Sequence, residues 1–110
     1  HGNLNSTRAI LDTNDAMEAY WLTAKKGKIG EIYNIGGTEP YKISVILKKL
    51  KLLSTKKIIS KIDKKLLRKK DIKYQMPDSK KFIRDTGWKV KTNVDESLKN
   101  LLNYQRDIIK

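Results

Sequence analysis

The apolar positions of this chain fall into short clusters whose spacing predicts a mixed α/β fold. Arg8-Ala9-Ile10-Leu11-Asp12 carries two consecutive large apolar residues and reads as a short strand or an extended lead-in. Thr13, Asn14 and Asp15 then supply N-cap chemistry and early negative charge. Ala16, Met17, Ala19, Tyr20, Trp21 and Ala24 recur at helical spacing, and Gly27 follows Lys25 and Lys26, which predicts a helix over about 14–26. Ile29 to Ile35 is short, aromatic and β-branched, and it predicts a strand ending in Gly36-Gly37. Asn34 then sits at the strand's end, where open α/β sheets hold ligands. From spacing alone Asn34 is equally a turn residue, and Gly36 and Gly37 are turn formers.

Thr38 to Tyr41 reads as a loop around Pro40. Ser44 can cap a helix with Val45 or Ile46, Leu47, Leu50 and Leu53 on one face and Lys48, Lys49 and Lys51 on the other. Ile58 to Ile62 suggests a second strand, and Lys64 to Lys73 has no clear period, as expected of a ligand-facing loop or short helix. Asp78 is a good N-cap for a helix over 79–85, with Gly87 as its stop and Trp88 as a packing anchor. Asn93 and Glu96 make an Asn-based capping box. Val94, Leu98, Leu101, Leu102, Gln105, Ile108 and Ile109 trace one face of the helix that follows.

Composition narrows the picture. A chain of 110 residues suffices for one core, and 38% hydrophobic residues argue for a folded domain despite a net charge of +13. Residues 42–73 hold 13 Lys or Arg against Asp63 and Asp71, a local net of +11. Such a stretch attracts polyphosphate, nucleic acid or an acidic partner. Its lysines alternate with apolar residues, however, and no aromatic lies between Tyr41 and Tyr74, so a stacking platform for bases is missing. A solvated lysine-rich face is the simpler reading, with a noncatalytic basic nucleic-acid-binding module as the alternative. The lack of cysteine fits a cytoplasmic setting, and no apolar run approaches the ~20 residues of a membrane span. The start at His1-Gly2-Asn3, without Met, reads as a longer chain cut in mid-loop.

Little here can catalyse. The one histidine is His1, cysteine is absent, and no serine has a general base nearby in sequence, so no catalytic residue is expected in this chain. Asp12, Asp15 and Glu18 read as helix N-terminal acids and not as a metal site, because no histidine or further acid completes a ligand set. Neither G-x-G-x-x-G nor G-x-x-x-x-G-K-[ST] occurs, so no cofactor-binding residue is expected. The arginines are better candidates, since a guanidinium fork pairs bidentately with phosphate oxygens. Arg84 and Arg106 fall on predicted helices and read as solvated. Arg8 and Arg68 adjoin apolar residues that can hold their stems while their heads meet a ligand.

Taken in order, several short motifs resemble one family. They are Gly2-Asn3-Leu4, Thr7-Arg8, Asp12-Thr13-Asn14-Asp15, Ala19-Tyr20, Gly30-Glu31-Ile32-Tyr33-Asn34-Ile35, Leu67-Arg68 with Asp71, and Thr86-Gly87-Trp88 before a closing helix. The chain is similar to the C-terminal part of the extended short-chain dehydrogenase/reductases, in the branch of GDP-mannose 4,6-dehydratase and GDP-4-keto-6-deoxymannose reductase. Two family positions differ: Arg-Pro is Arg68-Lys69 here, which leaves the loop less constrained, and Lys-Pro is Lys89-Val90.

The resemblance implies an α/β fold, with residues 1–37 packing on a Rossmann sheet as a late strand and helix and 38–110 forming a nucleotide-sugar-binding lobe. It implies that Arg8 and Arg68 hold the substrate diphosphate, that Asp71 accepts from the ribose and that Asn34 lines the pocket. NAD or NADP would belong to a preceding Rossmann segment carrying the Gly-rich loop and a Tyr-x-x-x-Lys pair. A dehydratase of this kind removes water across C5 and C6 after the cofactor oxidises C4, whereas the reductase delivers hydride to a C4 ketone. UDP- and dTDP-sugar dehydratases or epimerases are the implied alternatives. The fragment alone would be inactive, and the whole enzyme a homo-oligomer. Severed from its sheet, the 29–35 strand would leave an unpaired edge and an apolar face, so the isolated chain should associate or be only partly ordered.

Overall fold

The computed structural model describes residues 1–109 and is a small α/β arrangement. Its elements in chain order are β1 (Thr7–Ala9), α1 (Thr13–Lys26), β2 (Pro40–Lys42), α2 (Ile43–Leu53), β3 (Tyr74–Gln75), α3 (Lys80–Thr86) and α4 (Val94–Ile109), with a single 3-10 turn at Lys64–Leu66. β1 is the central strand. It runs antiparallel to β2, with Arg8 opposite Tyr41, and parallel to β3, with Arg8 opposite Gln75. Backbone bonds beyond the strand ends extend this small sheet: Thr7 N donates to Lys73 O (2.8 Å), Ile43 N to Ser6 O (3.0 Å) and Ser44 N to Leu4 O (2.9 Å).

The core lies between α1, α3 and the segment after α3. Ala19, Phe82 and Trp88 are fully or almost fully buried, and Leu11, Leu22, Tyr33, Ile35, Ile83 and Val90 pack around them. The rings form a chain, Tyr33 edge-on to Phe82 at 5.4 Å and Phe82 tilted against Trp88 at 5.7 Å. Trp88 takes its place because Gly87 ends α3 in a left-handed conformation (φ 72°), and its indole N–H donates to Asp15 O (3.1 Å). Trp88 is thus the anchor its position suggests.

Helix expectations hold to within a residue or two. The cap of α1 is Asp12, one residue before the Thr13-Asn14-Asp15 run expected to supply it, its side chain accepting from Asn14 N (2.8 Å), and Asn93 Oδ1 accepts from Glu96 N (2.9 Å) at the start of α4. For α3, Ser79 takes the cap position, while Asp78 Oδ1 accepts from Lys80 N (3.0 Å). Ser44 does not cap α2. The helix starts one residue earlier, so Lys42 occupies that position, and its ammonium has no acceptor with which to cap; the freed N–H of Ser44 donates to Leu4 O instead. Arg106 is not merely solvated: it donates to Leu53 O (2.9 Å) and satisfies the C-terminus of α2.

Both predicted strands outside the sheet need correction. Alternation is confined to 32–35, with Tyr33 and Ile35 against the core and Ile32 (84% exposed) and Asn34 turned outward, while Ile29 and Glu31 are exposed as well. No strand among the described residues pairs with it, so the segment carries no ladder. Ile58 to Ile62 is irregular as well, because its apolar residues stay exposed and its backbone meets only His1. Conversely, the loop expected over 38–41 contains the start of β2. Pro40 is tolerated there as the first residue of an edge strand. Hydrophobic spacing also hid a division within α1: Ala19 and Leu22 face the core, whereas Met17, Tyr20 and Trp21 remain 53%, 69% and 64% exposed.

Candidate functional site

Arg8 stands where two open clefts meet. As the middle residue of the central strand it is fixed on both sides by β2 and β3, and its Nη1 donates back to Thr7 O (2.9 Å), folding the guanidinium over the sheet. One cleft, of about 340 Å³, is lined by Gly2, Asn3, Ser6, Arg8, Ile43, Leu66, Arg68 and Asp71. The other, of about 690 Å³, runs from Arg8 along Asn34, Gly36 and Gly37 to Gln75, Met76, Pro77 and Asp78. Both volumes are within the range of small-molecule sites, and the two clefts share the Arg8 side chain.

In the smaller cleft Asp71 is the organising group. Its Oδ2 accepts from Asn3 Nδ2 (2.8 Å) and Ser6 Oγ (3.0 Å), and its Oδ1 lies 3.5 Å from Arg8 Nη2. The Asn3 bond first and the Ser6 bond next, with the Arg8 charge and the Ile72 backbone N–H, hold its carboxyl below the usual carboxylate range against the opposing effect of burial. Arg68 lines the same cleft, is exposed, and has no ion-pair partner among the described residues. The cleft therefore offers two cations for an anion and one ionised acceptor for hydroxyls.

Asn34 is brought to the larger cleft by a close approach of backbones. A Cβ on Gly36 would fall 2.1 Å from Pro77 Cγ, and one on Gly37 would fall 2.1 Å from Ile10 O. Both glycines have ordinary backbone angles, so they are there for closeness and not, as their sequence suggests, to form a positive-φ turn. The Ser79 hydroxyl clamps the spot, accepting from Gly36 N (3.0 Å) and donating to Gly36 O (3.3 Å). Asn34 thus lies across Arg8 from Arg68 and Asp71, in the adjoining cleft.

Sequence reasoning passed over Asn3 and Ser6. The only available signal was two hydrogen-bonding side chains just before Arg8, since their partner Asp71 lies 68 and 65 residues away. The acids of α1 also separate into roles. Asp12 is a cap; Asp15 is buried, and its Oδ2 accepts from Lys91 N (3.2 Å) and Thr92 N (3.0 Å); Glu18 pairs with Lys91 Nζ (2.6 Å). Among the described residues no group of His, Cys, Asp and Glu could hold a metal, and no helix is long and apolar enough to cross a membrane. The sequence carries no G-x-G-x-x-G loop of the kind that cradles a dinucleotide.

Comparison with known proteins gives this geometry a family. The sequence pattern of GDP-mannose 4,6 dehydratase matches residues 1–101. Among curated proteins, the chain is 32% identical over 113 residues to human dTDP-D-glucose 4,6-dehydratase, covering 97% of this chain and 32% of that protein. It is 27% identical over 107 residues to the trifunctional UDP-glucose 4,6-dehydratase/UDP-4-keto-6-deoxy-D-glucose 3,5-epimerase/UDP-4-keto-L-rhamnose-reductase RHM1 of Arabidopsis thaliana, covering 94% of this chain and 15% of the other. The chain thus spans a third or less of these relatives. In fold it resembles RMD from Pseudomonas aeruginosa complexed with NADPH (TM-score 0.86, 21% identity, 98% of this chain and 35% of that one). It also resembles dTDP-glucose 4,6-dehydratase of Bacillus anthracis in complex with NAD (TM-score 0.79, 19% identity, 97% and 33%). Three strands and four helices of the described residues thus match one portion of the extended short-chain dehydrogenase/reductase fold. The chain belongs to the GDP-mannose 4,6 dehydratase family of nucleotide-sugar-modifying enzymes.

Proposed function

We propose that this chain is the substrate-binding part of a longer NAD- or NADP-dependent enzyme acting on a nucleoside-diphosphate sugar, with GDP-mannose the leading candidate. The observation that carries the reading is the meeting of two clefts at Arg8, with Arg68 and Asp71 on one side and Asn34 on the other. Such a ligand has an anionic centre flanked by a nucleoside and a sugar. The diphosphate lies over Arg8 and Arg68, the ribose reaches Asp71, and the sugar runs past Asn34. Holding the substrate against a cofactor bound elsewhere is a contribution of orientation. The chemistry supplied by the cofactor is hydride transfer at the sugar.

The exposed face of Met17, Tyr20 and Trp21 supports packing of residues 1–37 on the sheet of a dinucleotide-binding portion, with 38–110 as the substrate lobe. Exposed Leu101, Tyr104 and Ile108 on α4 support assembly as a homo-oligomer. GDP-mannose is favoured by the family pattern over 1–101, and UDP- or dTDP-glucose by the relatives that act on those sugars. The test is to incubate the full-length protein with NAD or NADP and each of GDP-mannose, UDP-glucose and dTDP-glucose. Formation of a 4-keto-6-deoxy sugar from GDP-mannose alone is expected. Turnover of another nucleotide sugar would move the base assignment, and turnover of none would overturn the dehydratase reading.

A further inference from the structure

The Asp71 carboxylate is held chiefly by neutral donors although a cation stands beside it. Oδ2 is bound at 2.8 Å by Asn3 Nδ2 and at 3.0 Å by Ser6 Oγ, whereas Arg8 Nη2 reaches Oδ1 only at 3.5 Å, long for a charge-assisted bond. The two donors are themselves fixed. Asn3 Nδ2 also lies 3.0 Å from Ser6 Oγ, Asn3 Oδ1 accepts from Asn5 N (2.9 Å), and Ser6 is 3% exposed. A short Arg8–Asp71 pair would spend the cation that an anionic ligand needs and the acceptor that its hydroxyls need. Binding Asp71 from the uncharged side leaves both available.

We propose that Asn3 and Ser6 are positioning residues that orient Asp71 toward a ribose hydroxyl of the nucleotide while leaving the Arg8 guanidinium free for the diphosphate. This rests on the nucleotide-sugar reading of the two clefts. The charged groups around Asp71 are Arg8 from β1 and Arg68 from the segment after the 3-10 turn; Asn3, Ser6 and Ile43 face the cleft without charge. The Asn3 and Ser6 bonds lower the Asp71 carboxyl, so deleting either raises it. The ionised carboxylate is the stronger acceptor for a hydroxyl, so binding weakens as pH falls through the Asp71 value, and each deletion moves that weakening to higher pH.

The experiment is calorimetry on the full-length protein between acidic and neutral pH, with GDP, UDP and dTDP as nucleotide probes and inorganic pyrophosphate as the anion alone. Asn3→Ala and Ser6→Ala are each expected to weaken the tightest nucleotide by roughly 3- to 10-fold at neutral pH and to move the acid limb of binding upward, with pyrophosphate weakened by less than the nucleotide. An unmoved acid limb, or an unchanged nucleotide affinity, would overturn the proposal. Equal loss of nucleotide and pyrophosphate would also overturn it, because that is the signature of a collapsed cleft. Should wild type bind none of the nucleotides, the underlying reading fails first and takes this one with it. Ser6 is tightly packed, so thermal melts accompany both variants, and Asn3→Ala, at a less buried position, decides the matter if Ser6→Ala does not fold.

Discussion

Asp15→Ala removes an acceptor that two backbone amides depend on, and its cost follows from the geometry. Asp15 is 3% exposed, and its Oδ2 takes Lys91 N at 3.2 Å and Thr92 N at 3.0 Å, tying the irregular segment after Trp88 to the first turn of α1. Bonds of this kind to an ionised group contribute about 1.5 kcal/mol each at the low end suited to these lengths. A further loss of about 0.3–1 kcal/mol comes from the favourable charge at a helix N-terminus. The expected destabilisation is therefore about 3–4 kcal/mol, a large part of the roughly 5–15 kcal/mol that holds a domain folded. The carbonyl of Asp15 still receives the Trp88 indole N–H in the variant, so the carboxylate is isolated as the cause. Glu18→Ala is the matched control: it sits one turn on and pairs with Lys91 at 2.6 Å, but with side chains 34% and 65% exposed. It should cost under about 1 kcal/mol. Urea unfolding of the full-length protein, followed by tryptophan emission and circular dichroism, measures both. A loss below about 1 kcal/mol for Asp15→Ala, or equal losses for the two, would refute the argument.

Other consequences are as direct. Gly37→Ala must place a Cβ 2.1 Å from the Ile10 carbonyl oxygen, and the backbone shift needed should lower the melting temperature well beyond the effect of Gly30→Ala, where no atom lies within 4 Å and only the positive φ is strained, at about 1 kcal/mol. Burial pushes the Asp85 carboxyl up, but the Tyr33 hydroxyl (2.9 Å), the Arg84 hydrogen bond and the charges of Lys28 and Arg84 more than reverse this and hold it below the usual range. Its contribution to stability is present above the ordinary carboxylate value and is lost as pH falls through the folded value. Tyr33→Phe should therefore raise the Asp85 titration seen by carboxyl NMR, and an unmoved titration would show that the hydroxyl is not the cause. Trp21→Lys should reduce self-association of the isolated chain in light scattering, because it charges the bare face of α1; undiminished association would place the contact elsewhere.

What could be read from the sequence was what local chemistry decides. The polar run from Asp12 to Asp15 announces a helix start to within a residue and Asn93 announces another because a cap acts within three residues, and Gly87 followed by Trp88 announces a stop and an anchor for the same reason. The guanidinium argument picks Arg8 and Arg68, and the fold brings both to the cleft of Asp71. Non-local pairing was not legible. The β-branched and aromatic run over 29–35 marks an extended chain but names no neighbour, and Pro40 disguised β2 because an edge position cannot be seen from one strand. Asn3 and Ser6 were missed for their distance from Asp71, and Asp15 was read as a dipole charge because the amides it serves lie 76 and 77 residues on. Periodicity also could not say which apolar face of α1 is covered.

In the proposed nucleotide-sugar complex, Arg8 and Arg68 bind one diphosphate between the two clefts. Calorimetric titration of the full-length protein with its preferred nucleotide sugar, comparing wild type with Arg68→Ala and Arg8→Ala, tests it most directly. Each variant should weaken binding by about 1.5–3 kcal/mol, roughly 10- to 150-fold, since each loses a charge-assisted contact to phosphate. Affinity unchanged in both variants would contradict the account.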